Sequence, residues 1–256
     1  MPDAFGDIAV WLRFYTQLPL STSNSPLGPP DFRHAGWGLP FAGAMIGTVG
    51  GVVALTARSV GLSPLVSATL AVGCLAVLTG GLHEDGVADV ADGFGGGRDR
   101  ERKLEIMRDS RVGSYGVLAM MLAVITRIAA TAAILEHSAL FLVFSLACVG
   151  GVSRLAGLLP MLLTSPARSD GLGASVRGPS VETFVVGAAI CFLLGSGALI
   201  GGAGFFQIMM AVGAAFGASW GVAKLAQRQI GGYTGDVLGA AQQAAEIAAL
   251  IVFSAG

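Results

Sequence analysis

The sequence predicts an all-α fold, a polytopic integral membrane helical bundle of about seven transmembrane helices with an acidic helix at the membrane interface. Of the 256 residues, 54% are hydrophobic and only 12% are charged, a composition outside the range of soluble globular domains. The apolar residues also fall into several stretches of the length that crosses a hydrocarbon core of about 30 Å. We therefore expect residues 1–256 to form a single transmembrane domain.

The amino-terminal segment, residues 1–37, is expected to lie at the cytoplasmic interface. Its apolar residues recur at helical spacing and predict one face of a surface-lying helix, namely Phe5, Ile8, Ala9, Leu12 and Tyr15. The acidic residues Asp3 and Asp7 do not suit a cleavable signal peptide.

Seven apolar stretches follow and are predicted to cross the membrane. They are Leu39–Ala57, Pro64–Leu82, Val112–Leu135, Ala139–Leu163, Val181–Ile200, Phe205–Ala223 and Val237–Phe253. Small residues at four-residue spacing predict helices that approach one another closely, as at Gly43 and Gly47 and at Gly213 and Gly217.

Lysine and arginine predict the orientation, because they concentrate in loops on the cytoplasmic side. On one side they occur at Arg13 and Arg33, within residues 98–111, and at Arg168, Arg177, Lys224 and Arg228, whereas the opposite connections hold only Arg58. The amino terminus and the three charged loops are therefore expected in the cytoplasm, together with the candidate site residues that they carry.

Residues 83–111 are predicted to form a cytoplasmic active-site loop, which would make the domain a catalytic one. If residues 84–92 are helical, Asp85, Asp89 and Asp92 follow at i, i+4 and i+7 and lie within about 60° of one another. Such close carboxylates repel, and Mg²⁺ or Mn²⁺ would neutralise them, because hard cations take oxygen ligands and leave positions for substrate phosphates. The alternative is a solvated helix end whose acids are balanced by the arginines downstream.

The basic part of this loop, residues 98–111, carries charges of both signs. An interfacial helix with salt bridges and orienting arginines explains Arg98, Arg100, Arg102 and Lys103. The sequence Asp109-Ser110-Arg111 is more typical of phosphate binding, because a guanidinium fork matches phosphate oxygens and the neighbouring Asp and Ser can support it.

Three charges fall inside predicted spans, where each is costly unless it is paired or faces water. They are Arg127, Arg154 and Glu246. Arg154 and Glu246 lie at similar depth, so they are candidate partners. The other interpretation is a polar wall for a large substrate, since Asp236, Gln243 and Glu246 share one side of the last helix.

These motifs together resemble the cobalamin synthase family, whose members are also called adenosylcobinamide-GDP ribazoletransferases. The likeness is carried by Gly80-Gly81-Leu82-His83 with Asp85-Gly86-Val87-Ala88-Asp89 and Asp92-Gly93, by Leu104-Glu105-Ile106-Met107-Arg108-Asp109-Ser110-Arg111-Val112-Gly113, and by Thr234-Gly235-Asp236-Val237-Leu238-Gly239-Ala240. It extends from Phe14–Pro19 to the last span. Tyr233 departs from the pattern, in which we expect glutamine.

The resemblance implies a Mg²⁺-dependent phosphotransferase of the bacterial cytoplasmic (inner) membrane. Such an enzyme joins adenosylcobinamide-GDP to α-ribazole, or to α-ribazole 5′-phosphate, and releases GMP. The expected partners are these small molecules and the lipid bilayer, with no nucleic acid and with homo-oligomerisation left open.

The resemblance also implies roles for individual residues. Asp85, Asp89 and Asp92 would bind the metal, and Asp92, Asp236 and Arg111 would be catalytic, with either aspartate as the base. The substrate-binding residues would be Arg98, Arg108, Asp109, Ser110, Arg154, Thr234 and His83. No Ser or Cys nucleophile with a partnering His is evident, which favours direct displacement.

Two alternatives stay open at this point. A CDP-alcohol phosphatidyltransferase also uses acidic helix faces and Mg²⁺ at a membrane edge, but its longer signature, with an arginine after the first acids, is not reproduced. A secondary transporter would concentrate its acids near the midplane, whereas the dense cluster here is predicted at one interface.

Overall fold

The fold is a bundle of long apolar helices. The computed structural model describes residues 4–20, 31–33, 35–171, 173, 176 and 178–255. Its helices are α1 (Ala4–Tyr15), α2 (Leu39–Ser59), α3 (Pro64–Thr79), α4 (Leu82–Gly96), α5 (Arg100–Ile106), α6 (Ser114–Leu135), α7 (Ala139–Ala156), α8 (Leu159–Leu163), α9 (Val181–Ile200), α10 (Phe205–Ile230) and α11 (Gly235–Ser254). Arg177, used above for orientation, lies outside the described residues. The described part of the chain contains no β-strand beyond one isolated bridge, which confirms the all-α prediction.

Within the described residues, six helical stretches are long and apolar enough to cross a membrane. They are Gly36–Ser59, Ser114–Leu135, Ala139–Leu163, Val181–Ile200, Phe205–Ile230 and Gly235–Ser254. A seventh crossing is obtained if α3 and α4, which meet at an angle of 88°, are taken together as a broken span. The prediction of a polytopic bundle with about seven spans is confirmed.

The turn between α3 and α4 sets the direction of the acidic helix. Gly80 and Gly81 both adopt left-handed conformations, with φ of 64° and 69°, which cost glycine little and other residues much more. The predicted stretch Pro64–Leu82 is therefore wrong at its end, because the helix stops at Thr79. The chain then turns by 88°. In this broken span we take α3 as the crossing part and treat α4 as a helix along the interface, outside the membrane-spanning segments.

Glycine contacts hold the core helices close together. A Cβ atom added to Gly43 of α2 would lie 2.8 Å from the carbonyl carbon of Gly150 on α7. A Cβ atom added to Gly47 would lie 2.8 Å from the carbonyl carbon of Leu146, also on α7. Close approach was predicted correctly for this pair of helices. It was wrong for Gly213 and Gly217, which face open space.

Helix α11 occupies the centre and packs against α4, α6, α7 and α10. Its amino-terminal end lies beside α4 and the segment after α8, and α5 packs against α4 and α10. The charged connections therefore gather at one end of the bundle. The described connections at the opposite end are the short turns after α2, α6 and α9. The predicted grouping of the charged loops is therefore reproduced by the fold.

Candidate active site

The crossing of α4 and α11 brings the two acidic motifs together. A side chain on Gly86 would lie only 2.8 Å from the carbonyl oxygen of Asp236 and 3.3 Å from the Cα of Gly239. The two backbones can approach this closely because position 86 is glycine, whereas a side chain at Gly239 would meet only ordinary contacts at 3.6 Å. Asp85 and Asp89, which flank this contact on α4, are thereby carried to the start of α11.

We call Asp85, Asp89 and Asp236 the acidic rim. Asp85 is exposed, whereas Asp89 and Asp236 are half-buried. Burial, followed by the negative charges of Asp85, Asp236 and Asp92, raises the pKa of Asp89 to about 7. A carboxylate surrounded in this way is stabilised by a proton or by a cation.

A basic residue, Arg168, completes the rim. Its Nη2 lies 3.7 Å from Oδ2 of Asp236. The segment before it is held by Tyr233, whose N–H donates to the carbonyl of Ser165 at 3.0 Å and whose carbonyl accepts from Ala167 N–H at 2.8 Å. Sequence reasoning used Arg168 only for orientation, because its pairing with Asp236 depends on contacts between distant segments.

Thr234 fixes the start of α11. Its hydroxyl oxygen accepts from the N–H of Val237 at 3.3 Å and donates to Asp236 Oδ2 at 3.1 Å. This arrangement is an ordinary helix N-cap that also orients the rim carboxylate. Thr234 itself is buried, so it acts on the site through Asp236.

Asp92 has a different environment from the other predicted metal ligands. It is buried, and its two carboxylate oxygens accept from Gly113 N–H at 2.6 Å and Gly116 N–H at 2.8 Å. These amides belong to the start of α6, where a negative charge also complements the helix dipole. The predicted set Asp85, Asp89 and Asp92 is thus divided between the rim and a helix cap.

The predicted phosphate-binding residues form an exposed basic edge beside α5. Arg111 pairs with Asp109 at 2.6 Å, which lowers the pKa of Asp109 to about 2. Arg108 donates to both carboxylate oxygens of Asp170, at 2.5 and 2.7 Å. Arg98 and Ser110 are also exposed.

Arg100 ties this edge to the rim segment. Its Nε donates to the carbonyl of Ile230 at 2.9 Å, and its Nη2 donates to the carbonyl of Ala167. The last carbonyl of α10 and the backbone beside Arg168 are thereby joined to α5. Arg100 was predicted as part of an interfacial helix with salt bridges, and its contacts with these two backbone carbonyls were missed.

The charges inside the spans pair differently from the prediction. Arg127 Nη1 lies 2.5 Å from Glu84 Oε1, and its Nε lies 2.8 Å from Glu246 Oε1, off the line of a hydrogen bond. The other carboxylate oxygen of Glu246 accepts from Gln242 at 2.7 Å. The expected pair of Arg154 and Glu246 is wrong, because both oxygens of Glu246 already have partners.

Arg154 instead faces a cavity behind the rim. Its Nη1 donates to the carbonyl of Gly150 at 3.1 Å, and its guanidinium lies 5.7 Å from the ring centre of Tyr15. The cavity has a volume of about 200 Å³ and runs from Asp85, Asp236 and Arg168 inward to His83 and Arg154. The rim is therefore the mouth of an internal space.

The acidic rim meets part of the requirement for a Mg²⁺ site. No three His, Cys, Asp or Glu side chains in the described ranges are arranged to hold a metal by themselves. Mg²⁺, however, is usually bound through one or two carboxylates together with water and substrate phosphates. Asp85 and Asp236 at one cavity mouth, with Asp89 between like charges, fit that kind of site.

Comparison with known proteins gives a consistent result over nearly the whole chain. A family model described as cobalamin-5-phosphate synthase matches residues 7–254. A protein named adenosylcobinamide-GDP ribazoletransferase from Azorhizobium caulinodans is 40% identical over 96% of this chain and 94% of its own length. One of the same name from Bradyrhizobium diazoefficiens is 42% identical over 99% of this chain and 95% of its own. No solved structure matches the chain.

Proposed function

This chain belongs to the cobalamin-5-phosphate synthase family, and we propose from that premise that it is an adenosylcobinamide-GDP ribazoletransferase. It joins adenosylcobinamide-GDP to α-ribazole, or to α-ribazole 5′-phosphate, and yields adenosylcobalamin, or its phosphate, with GMP. The observation that carries this conclusion is the match to relatives of that name along almost the full length of both chains.

The reaction is a phosphoryl displacement on the diphosphate. A ribose hydroxyl of α-ribazole forms a P–O bond to the phosphorus on the corrinoid side, and the bond from that phosphorus to the GMP oxygen breaks. GMP leaves with its own phosphate, and the hydroxyl proton passes to a base or to solvent. Catalysis of this kind depends on alignment and on neutralising the phosphoryl oxygens.

We assign the metal to the mouth of the cavity. Asp85 and Asp236, with Asp89 beside them, would hold Mg²⁺ there, and the ion would supply positive charge to the diphosphate oxygens. The raised pKa of Asp89 supports this assignment, because it reflects burial first and then the negative charges of Asp85, Asp236 and Asp92, and a bound cation would offset those charges.

The remaining rim groups orient the reactants. Asp236 would accept the hydroxyl proton, and its contacts with Thr234 and Arg168 support this role because they fix its carboxylate. Arg168 is placed to bind a phosphate oxygen. Asp92 has both oxygens occupied by backbone amides, so we assign it to positioning α6 and not to the metal or the base.

The exposed basic edge suits the nucleotide. Arg98, Arg108, Asp109, Ser110 and Arg111 lie between α4 and α6, next to the rim in the chain. The guanidinium groups of the three arginines would bind the GDP moiety and the departing GMP. The density of Lys and Arg at this end supports a position on the cytoplasmic side of the bacterial inner membrane, following the positive-inside rule.

The reaction is tested by product release. Protein purified in detergent is mixed with adenosylcobinamide-GDP, α-ribazole and Mg²⁺, and GMP and cobalamin are quantified by liquid chromatography. We expect the two products in equal amounts and only with both substrates present. A parallel incubation with a CDP-activated lipid and an alcohol tests the phosphatidyltransferase alternative. Release of CMP there, with no GMP in the first reaction, would overturn the proposal.

A further inference from the structure

The cavity behind the acidic rim has a wall of aromatic rings. Tyr15 stacks on the imidazole of His83 with ring centres 5.4 Å apart and planes at 16°. Phe14 meets Tyr15 edge to face at 4.9 Å, and Phe32 lines the same space. Such a wall offers flat apolar contact to an aromatic ring.

The wall is held rigidly. Trp11 is fully buried, stacks on Tyr15 at 5.8 Å and packs edge to face against Phe32 at 4.9 Å. Its indole N–H donates to the carbonyl of Ala35 at 2.6 Å. The shape of the cavity is therefore fixed by α1 and the segment before α2, and a ligand would find it largely preformed.

Three polar side chains that line this cavity have atoms without a partner. The Nε2 of His83, the Nε of Arg154 and the Oε1 of Gln242 are buried and make no hydrogen bond within the part of the chain that the structure describes. These side chains are 4%, 4% and 2% exposed. Buried polar atoms are nearly always satisfied, so these are candidates for contact with a ligand.

We propose that this cavity binds the benzimidazole base of α-ribazole. The assignment rests on the proposed function and adds a location for one substrate. At about 200 Å³ the cavity is smaller than the 300–1,000 Å³ typical of sites for drug-sized ligands. It suits a fused two-ring base and excludes a corrin macrocycle.

The polarity of the lining distinguishes this base from guanine. The inner wall carries one formal charge, the guanidinium of Arg154, which donates to the unprotonated ring nitrogen of a benzimidazole. Leu158, Val176 and Leu238 offer apolar contact to its hydrocarbon edge. Guanine needs acceptors for both its ring N–H and its amino group. The unpartnered Oε1 of Gln242 could serve one of them, but the carboxylates lie at the mouth, where the diphosphate is bound.

This placement explains why the cavity opens at the rim. A base bound in the inner part of this cavity leaves the attached ribose at the mouth, next to Asp85 and Asp236. The attacking hydroxyl then meets the diphosphate where the metal and Arg168 are proposed to act. The pocket thereby fixes the nucleophile, which is the positional contribution that displacement chemistry needs.

The test is a binding measurement that does not depend on turnover. Calorimetry without Mg²⁺ gives the Kd of α-ribazole and, separately, of GDP for wild-type protein and for Leu238→Trp, which fills the cavity. Leu225→Trp, on the exposed face of α10, is the matched control. We expect Leu238→Trp to raise the Kd of α-ribazole at least about tenfold, with the GDP Kd within about twofold and the control unchanged.

A second variant guards against a folding defect. Arg154→Met should weaken α-ribazole and benzimidazole binding while leaving the GDP Kd alone. If neither variant changes the Kd of α-ribazole, the proposal that this cavity binds its base is refuted. If only the Kd of GDP changes, the cavity binds guanine instead. Wild-type protein that binds α-ribazole at this pocket but releases no GMP would refute the proposed function and leave the pocket standing.

Discussion

The buried cation Arg127 gives the sharpest test of how the bundle holds the acidic helix. Its side chain is 4% exposed and contacts Glu84 of α4 and Glu246 of α11, which are 13% and 11% exposed. Arg127→Met would leave two inward carboxylates without a cation. Removing one partner of a buried ion pair costs roughly 3–5 kcal/mol, a fall of about a hundredfold to several thousandfold in the folding equilibrium.

The assay is chemical unfolding of purified protein in mixed micelles, followed by circular dichroism. Arg102→Met is the control, because Arg102 pairs with Glu105 at 2.7 Å but is 56% exposed, and exposed pairs contribute at most about 1 kcal/mol. Neutralising both acids, as Glu84→Gln with Glu246→Gln, should restore part of the loss caused by Arg127→Met. Equal costs for Arg127→Met and Arg102→Met would refute the reasoning.

Three further predictions concern the rim and its support. Asp92→Asn should lower the free energy of unfolding by about 2 kcal/mol, because an amide cannot accept well from both Gly113 and Gly116. A variant with wild-type stability and no activity would instead indicate that Asp92 takes part in the reaction. A proton on Asp89, with a pKa of about 7, competes with the metal. The affinity for Mg²⁺ measured by calorimetry should therefore rise about tenfold between about pH 6 and about pH 8. In Asp89→Asn the affinity for Mg²⁺ should not depend on pH over this range. Gly86→Val should separate α4 from α11 and abolish GMP release, whereas Gly73→Val should not, because a side chain at Gly73 meets open space. Equal rates of GMP release in the two variants would contradict the close contact between α4 and α11.

Much of the fold could be predicted from the sequence, because the bilayer imposes length and polarity on every span. The six long apolar stretches begin and end within a few residues of the predicted ones, apart from the stretch that begins at Phe205, which continues to Ile230 instead of ending at Ala223. The end of α3 was misplaced since the apolar run continues to Leu82. The backbone conformations of Gly80 and Gly81, and not hydrophobicity, decide where that helix stops.

The site was predictable in its local motifs and not in its long-range contacts. Helical spacing placed Asp85 and Asp89 on one face of α4, and the Thr234 motif predicted a site residue at Asp236. Spacing along one helix could not reveal that Asp92 caps α6 or that Arg168 meets Asp236, because both contacts join segments far apart in the chain. For the same reason, similar depth in the membrane suggested Arg154 as the partner of Glu246, whereas the packing of α6 supplies Arg127.

The central claim is that the acidic rim catalyses the phosphoryl displacement. The most direct test is to measure GMP release by purified Asp236→Asn protein. Glu136→Gln, an exposed acid at the opposite end of α6, is the matched control, and circular dichroism checks that both variants are folded. We predict that kcat for GMP release falls at least about a hundredfold in Asp236→Asn and stays at the wild-type value in Glu136→Gln. A folded Asp236→Asn protein that releases GMP at the wild-type rate would contradict the account.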